Sequence, residues 1–211
     1  MASKQREDQR RQTGLRTRER LTEAALTLLA ERGEQGVTLR EVTDAAGANI
    51  AAVSYHFGSL PALCDAAIEH ALDRYLEAQE DAVGALGSRS TLAELSAAFA
   101  RPMIRAVAAG GRDLRVMRIV ARSAIDPPPA WERFDARFDR IRADVLRVLH
   151  ANLPRVEDSE LVFRTRCAAG VVNWLALAPV GATLRGRSEE QIERSLVPVL
   201  AGLFAGTATA G

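Results

Sequence analysis

Two very short helical patterns, 38–46 and 50–57, meet at Gly47-Ala48-Asn49, and neither can stand alone. An isolated helix under about 12–15 residues is marginal in water, so both must pack on a third element. Leu21, Leu28, Leu39, Val42, Ala46, Val53 and Phe57 are spaced to supply that shared core. The third element is read from Leu21, Ala24, Ala25, Leu28 and Leu29, one face of a helix from about Thr17 to Arg32 that Gly33 and Gly36 end. Thr38-Leu39-Arg40-Glu41 has the spacing of a capping box, and Asn49 is a natural N-cap for the second short helix. Two short helices and a tight turn on a longer helix fit a helix-turn-helix, with 50–57 as the segment that enters a DNA groove. A plain helical hairpin inside a bundle satisfies the same spacing.

The rest of the chain keeps the 3.6-residue period. Ser59 starts a long helix to about Val83, and Pro61 fits in its first turn, where a missing amide costs nothing. Beyond a linker at Gly84, Gly87 and Ser88, helices are predicted near 91–109, 112–125, 129–152, 158–178 and 189–205. Pro127-Pro128-Pro129, Pro154, Pro179 and Gly186 punctuate them, Pro102 should kink or split one, and Ser188-Glu189-Glu190-Gln191 is a second capping box. No strand pattern of useful length occurs. The expected fold is all-α, about nine helices: an N-terminal three-helix domain and a C-terminal helical domain. The expected boundaries are a basic flexible leader at 1–14, a helix-turn-helix domain at 15–62 and a ligand-binding and dimerisation domain at 63–211.

A net charge of +1 excludes a globally basic nucleic-acid binder, but charge is unevenly placed. Lys4, Arg6, Arg10, Arg11, Arg16, Arg18 and Arg20 face only Glu7, Asp8 and Glu19 in residues 1–20, so a polyanion would be met there. A solvated leader is the alternative for the first thirteen residues. Cys64 and Cys167 lie far apart within apolar patterns and are expected as buried free thiols in a reducing compartment. The polar start and the lack of a long apolar run predict a cytoplasmic protein without a membrane partner. No metal-ligand spacing and no cofactor motif is present.

The residues Gly36-Val37-Thr38-Leu39-Arg40-Glu41-Val42, Ala46-Gly47-Ala48-Asn49 and Ala52-Val53-Ser54-Tyr55-His56-Phe57-Gly58-Ser59 occur in order. Over about residues 15–65 this stretch resembles the N-terminal domain of the tetracycline-repressor (TetR) family, most of all a subgroup with the Tyr-His-Phe-Gly-Ser ending. The remainder is similar to the family only in length, helix count and pattern. The resemblance implies a homodimeric repressor on a palindromic operator. A small apolar molecule enters its C-terminal domain, and a swing of the fourth helix separates the two reading heads. Two positions depart from the family pattern: Leu60 stands where a lysine is usual, and Thr43 where a small alanine is usual.

Chemistry assigns roles within that frame. Asn49, Ile50, Ala51 and Ala52 begin the recognition helix, whose first residues reach base edges; Asn49 is cap first, base reader second. Ile50, Ala51 and Ala52 offer apolar contacts such as a thymine methyl. Ser54 can donate to base or phosphate, and Tyr55 and His56 suit the backbone. Phe57 is expected in the core. Thr38 and Arg40, at a helix start, should hold another phosphate. Because one such unit is too weak alone, a dimer is expected, with Ala168, Val171, Val172, Leu175, Leu196, Val199, Leu200 and Leu203 as interface or plain core. Phe99, Met103, Met117, Trp131, Phe134, Phe138, Asn173 and Trp174 are candidate linings of an effector cavity, each also readable as core. The Arg112, Arg115, Arg118 and Arg122 series lies along one helical face, where a member could meet a carboxylate. Relatives of the resembled subgroup that sense fatty acids or acyl thioesters make a fatty-acid-like effector the first expectation.

Two other readings stay open. One is a regulator that acts without a ligand or activates transcription, favoured if no cavity of about 300 Å³ or more exists. The other, less favoured, is a helical enzyme with a scattered active site; His56, His70 and His150 share no motif with either cysteine.

Overall fold

The computed structural model describes residues 1–177, 184 and 186–206. Among these it is all-helical, with nine α-helices: α1 Ala2–Arg32, α2 Leu39–Ala46, α3 Ile50–Phe57, α4 Leu60–Gly84, α5 Leu92–Ala109, α6 Gly111–Ser123, α7 Asp135–Asn152, α8 Asp158–Ala176 and α9 Glu189–Ala205. The chain divides into two compact units, Met1–Ala71 and Leu72–Gly211.

In the first unit α1 starts at Ala2, not near Thr17. The apolar stripe marks only the part of α1 that has a core to cover. The polar residues before it are strong helix formers, and the Thr13 and Thr17 hydroxyls fold back onto carbonyls four residues earlier. Leu21, Leu28, Val42, Ala46 and Val53 are buried as their spacing requires, whereas Leu39 and Phe57 are only half-covered. The Thr38 capping box forms in full, and Asn49 Oδ1 accepts the Ala52 amide at 2.8 Å. Between them Gly47 takes φ 56° and ψ 42°, the left-handed geometry that ends α2 and turns the chain into α3. Thr43 is buried without penalty, since its hydroxyl donates to the carbonyls of Leu39 and Arg40, each at 3.0 Å. Ser59 caps α4 through the Ala62 amide at 3.2 Å.

In the second unit α5 packs against α6, α7, α8 and α9. Leu72, Leu76, Leu95, Met103, Val145, Leu149, Leu161, Leu200 and Phe204 are its fully covered centre, each contributing about 1.5–3 kcal/mol by burial. Phe99 meets Phe204 edge to face at 5.8 Å. α5 runs unbroken through Pro102 instead of splitting there. Thr91 and Glu94 form a further capping box at its start, unremarked in the sequence reading. The segment predicted as one helix over 129–152 is a 3-10 turn, Pro129–Phe134, followed by α7. The prolines at 127–129 stiffen the entry and leave α7 to start where amides become available. Pro179 lies outside the described residues. Of the two thiols Cys64 is buried and Cys167 only half so; burial, then Glu34 and Asp65, push the Cys64 thiol up to about 11.

Candidate nucleic-acid interface and effector cavity

The α3 helix presents one buried face and one bare face. Val53 is 1% exposed and anchors it, while Asn49, Ile50, Ala51, Ser54 and Tyr55 stand outward, Tyr55 at 84% and Ile50 at 54%. Exposed Ile50 and Tyr55, five residues apart on the helix, leave apolar area open to a second surface. Ala52 and His56 are half-covered; the His56 ring lies edge-on to Tyr55 at 4.9 Å and to Phe57 at 6.4 Å.

The far end of α3 is held by a residue the sequence reading counted only as charge. The Arg18 guanidinium donates to the His56 carbonyl at 2.7 Å and lies over the Phe57 ring, 4.4 Å from its centroid. A cation at a helix C-terminus opposes the negative end of the helix dipole and satisfies a carbonyl left without a partner. The signal available in the sequence was an arginine on the α1 face turned toward Phe57. It was visible only once the path of α3 was known.

At the start of α2 the two predicted phosphate holders differ. Arg40 is bare, with a loose 3.8 Å pair to Asp44. Thr38 is already committed: its hydroxyl donates to Glu41 at 2.6 Å, and its amide donates to the same carboxylate at 3.2 Å. The Thr38 hydroxyl and then Arg32 hold the Glu41 carboxyl below its ordinary value, so the residue stays ionised. The expected phosphate role of Thr38 is thereby reduced, because a carboxylate takes the donors that an anion would need.

In the second unit a cavity of about 210 Å³ opens between α4, α5, α6, α7 and α8. Phe99, Trp131, Phe138 and Asn173, four of the candidate residues, line it, the Trp131 and Phe138 rings stacked at 4.5 Å. Met117 lines a separate hollow of about 180 Å³, and Met103 and Phe134 are packed into the core. Trp174 corrects the expectation: it is 60% exposed, since one residue on from Asn173 the helix has turned about 100°. Tyr75, Gln79, Arg142, Thr165 and Arg166 supply most of the polar lining and lie outside the predicted set, because polar residues on different helices share no local pattern; Val120, Ala124, Ile141, Val145 and Ala169 complete the wall. None of Arg112, Arg115, Arg118 and Arg122 reaches this cavity. The Tyr75 phenol is pushed up to about 12 by burial and stays neutral.

The outer faces of α8 and α9 sort the predicted interface residues. Ala168, Val172, Leu196 and Leu200 are buried within the protomer, which fits the plain-core alternative for these four. Val171, Leu175 and Leu203 are half-covered, and Val199 is 53% exposed. The stripes read from the sequence therefore mix two neighbouring faces of each helix. Phe163 at 61% joins Trp174 and Val199 among the exposed apolar side chains.

Two family models match the chain. The one for bacterial regulatory proteins of the tetR family covers residues 21–67, and the one for the tetracyclin repressor-like C-terminal domain covers residues 97–202, half of the chain. The chain belongs to the TetR family. It is a DNA-binding transcriptional regulator with an N-terminal helix-turn-helix and a C-terminal ligand-binding domain, the class of protein to which its structural neighbours also belong.

Solved structures share the fold of this TetR-family regulator at low identity. PfmR from Thermus thermophilus matches with a TM-score of 0.63 and 19% identity, over 92% of this chain and 98% of that one. AibR, solved with isovaleryl coenzyme A and operator DNA, matches with 0.63 and 18%, over 87% and 97%. A regulator from Marinobacter aquaeolei matches with 0.63 and 17%, over 90% and 97%. No match was found among curated proteins. Among the described residues no helix is long and apolar enough to cross a membrane, and no cluster of His, Cys, Asp and Glu could hold a metal ion.

Proposed function

We propose that this TetR-family regulator is a homodimeric repressor that leaves a palindromic operator when a small amphipathic ligand enters its C-terminal domain. The observation that carries the reading is the bare outer face of α3, with Tyr55 and Ile50 uncovered beside Asn49, Ala51 and Ser54. Ala52, His56 and Arg40 border that face and complete the proposed DNA contacts, with Thr38 as the α2 cap beside them. Residues 15–62 act as the reading head, 1–14 as a basic leader on the phosphates, and 63–211 as the effector and dimerisation domain. The Tyr-His-Phe-Gly-Ser ending supports placement in the subgroup of that wording. The exposed Phe163, Trp174 and Val199, with Val171, Leu175 and Leu203, support a dimer through α8 and α9. An anionic acyl compound is the ligand class first expected, and AibR with isovaleryl coenzyme A is a neighbour of that kind. The cytoplasm is the proposed compartment.

The size of the cavity favours a second reading. About 210 Å³ lies below the roughly 300–1,000 Å³ of drug-sized ligand pockets, as expected of a regulator that needs no effector, whereas an open hollow of about 390 Å³ lined by Arg187, Gln191, Arg194 and Ser195 exceeds that lower bound. Mobility shift on the DNA upstream of its own gene tests the first reading. Sequence-selective binding by the wild type, weakened at least tenfold by Tyr55→Ala and by Arg40→Ala, supports it; equal affinity for random duplex sinks it. Light scattering should show a dimer at micromolar concentration.

A further inference from the structure

The 210 Å³ cavity carries more information than its volume, because one polar atom of its wall is buried without a partner. Gln79 is 1% exposed, and its Nε2 donates to the Phe99 carbonyl at 3.3 Å. Only the amide nitrogen can donate to a carbonyl, so the orientation of the side chain is settled. Its Oε1 is left buried with no hydrogen-bond partner. A buried acceptor without a donor costs about 1–3 kcal/mol, and this one belongs to a residue of the cavity wall. Two lining residues that carry guanidinium groups, Arg142 and Arg166, are exposed. Arg142 is paired with Asp139 at 2.9 Å, and Arg166 makes no ion pair among the described residues. The rest of the wall is mostly apolar and aromatic, including the stacked Trp131 and Phe138, with Tyr75, Thr165 and Asn173 as its other polar side chains.

We propose that the effector is a single-ring aromatic carboxylate bearing a hydroxyl or amino donor, with the donor on Gln79 and the carboxylate at Arg166. The proposal rests on reading this domain as an effector domain; it narrows the small amphipathic ligand named there and puts an aromatic acid in place of the acyl class. Size sets the limit: an apolar cavity of about 150 Å³ accepts benzene, so one of about 210 Å³ accepts a ring with two small substituents. A long acyl chain or a coenzyme A thioester cannot be enclosed in it. The ring suits the flat aromatic wall, where offset stacking is favourable. The donor removes the deficit at Gln79 Oε1, and the carboxylate meets a planar fork of donors.

Calorimetric titration of the full-length protein with 4-hydroxybenzoate, benzoate, phenol, octanoate and isovaleryl coenzyme A tests the assignment. 4-Hydroxybenzoate should bind at least tenfold more tightly than benzoate, which lacks the donor, and than phenol, which lacks the anion. Arg166→Ala should weaken 4-hydroxybenzoate at least tenfold and leave phenol unchanged; that residue is exposed, so folding is not at issue. Gln79→Met should abolish the preference for 4-hydroxybenzoate over benzoate. Equal binding of benzoate and 4-hydroxybenzoate, or tighter binding of octanoate or the thioester, overturns the proposal. Operator binding of the same sample separates the two levels. A protein that grips its operator and is released by a ligand outside this class refutes the class alone, whereas one that ignores operator sequence refutes the regulator reading as well.

Discussion

Removing the Arg18 clamp should loosen the recognition helix without altering the charge that DNA sees at α3 itself. The guanidinium contributes a charge-assisted hydrogen bond to the His56 carbonyl at 2.7 Å and a cation–π contact to Phe57 at 4.4 Å. Arg18 is exposed, so water screens both. A charged hydrogen bond reduced to about 1 kcal/mol and an exposed cation–π contact of about 0.5–1 kcal/mol together give roughly 1.5–2 kcal/mol. That corresponds to about a ten- to thirtyfold rise in local opening. Amide hydrogen exchange over residues 50–58 should therefore speed up by that factor in Arg18→Ala, with α5 to α9 unchanged. Arg18→Lys should recover only part of the protection, because an ammonium cannot lie flat on the ring and reach the carbonyl together. Operator affinity should fall in both variants while the slope of log affinity against log salt stays the same. If Arg18→Ala leaves the exchange of α3 untouched and makes the slope shallower by about 0.9 per subunit, Arg18 is a phosphate contact and the clamp argument is wrong.

Two more expectations follow from single contacts. Glu80 accepts from Arg137 at 2.7 and 3.1 Å and from Arg140 at 3.2 Å, and Arg137 foremost holds its carboxyl below the ordinary 4.5. A depressed carboxylate stabilises fully above the unfolded value and loses that contribution as pH falls through the folded one. Glu80→Gln should thus be less stable by about 1 kcal/mol near pH 7, a figure discounted for partial exposure. In urea titrations the gap to wild type should close below pH 4.5; a pH-independent gap excludes the ion pair as its cause. Leu60→Lys restores a cation at the first residue of α4, and operator titrations should show a salt slope steeper by about 0.9 per subunit; an unchanged slope places residue 60 off the phosphates.

What could be read in advance was whatever is decided within a few residues. Thr38 with Glu41, Asn49, Ser59, and Ser188 with Gln191 announce helix starts by local hydrogen bonds, and each start is where they put it. Gly47 announces the turn for an equally local reason, its left-handed backbone. The start of α1 is not legible in the apolar stripe, because periodicity reports burial, and a helix without a core to cover has no stripe. The aromatic part of the cavity, Phe99, Trp131 and Phe138, is legible because such side chains are conspicuous in a sequence. The rest is not, because Gln79, Arg142 and Arg166 become neighbours only through tertiary packing. The α8 and α9 faces failed for a related reason: a stripe shows that a helix is covered, not whether its own chain or another copy covers it.

The settled orientation of Gln79 has a consequence for discrimination among look-alike compounds. A molecule of matching outline that ends in a nitro group or a ketone would bring lone pairs against the lone pairs of Oε1. Rejection would then come from the sign of one small dipole while shape contributed nothing. A sensor so built could be retuned to the opposite class by reversing that dipole alone.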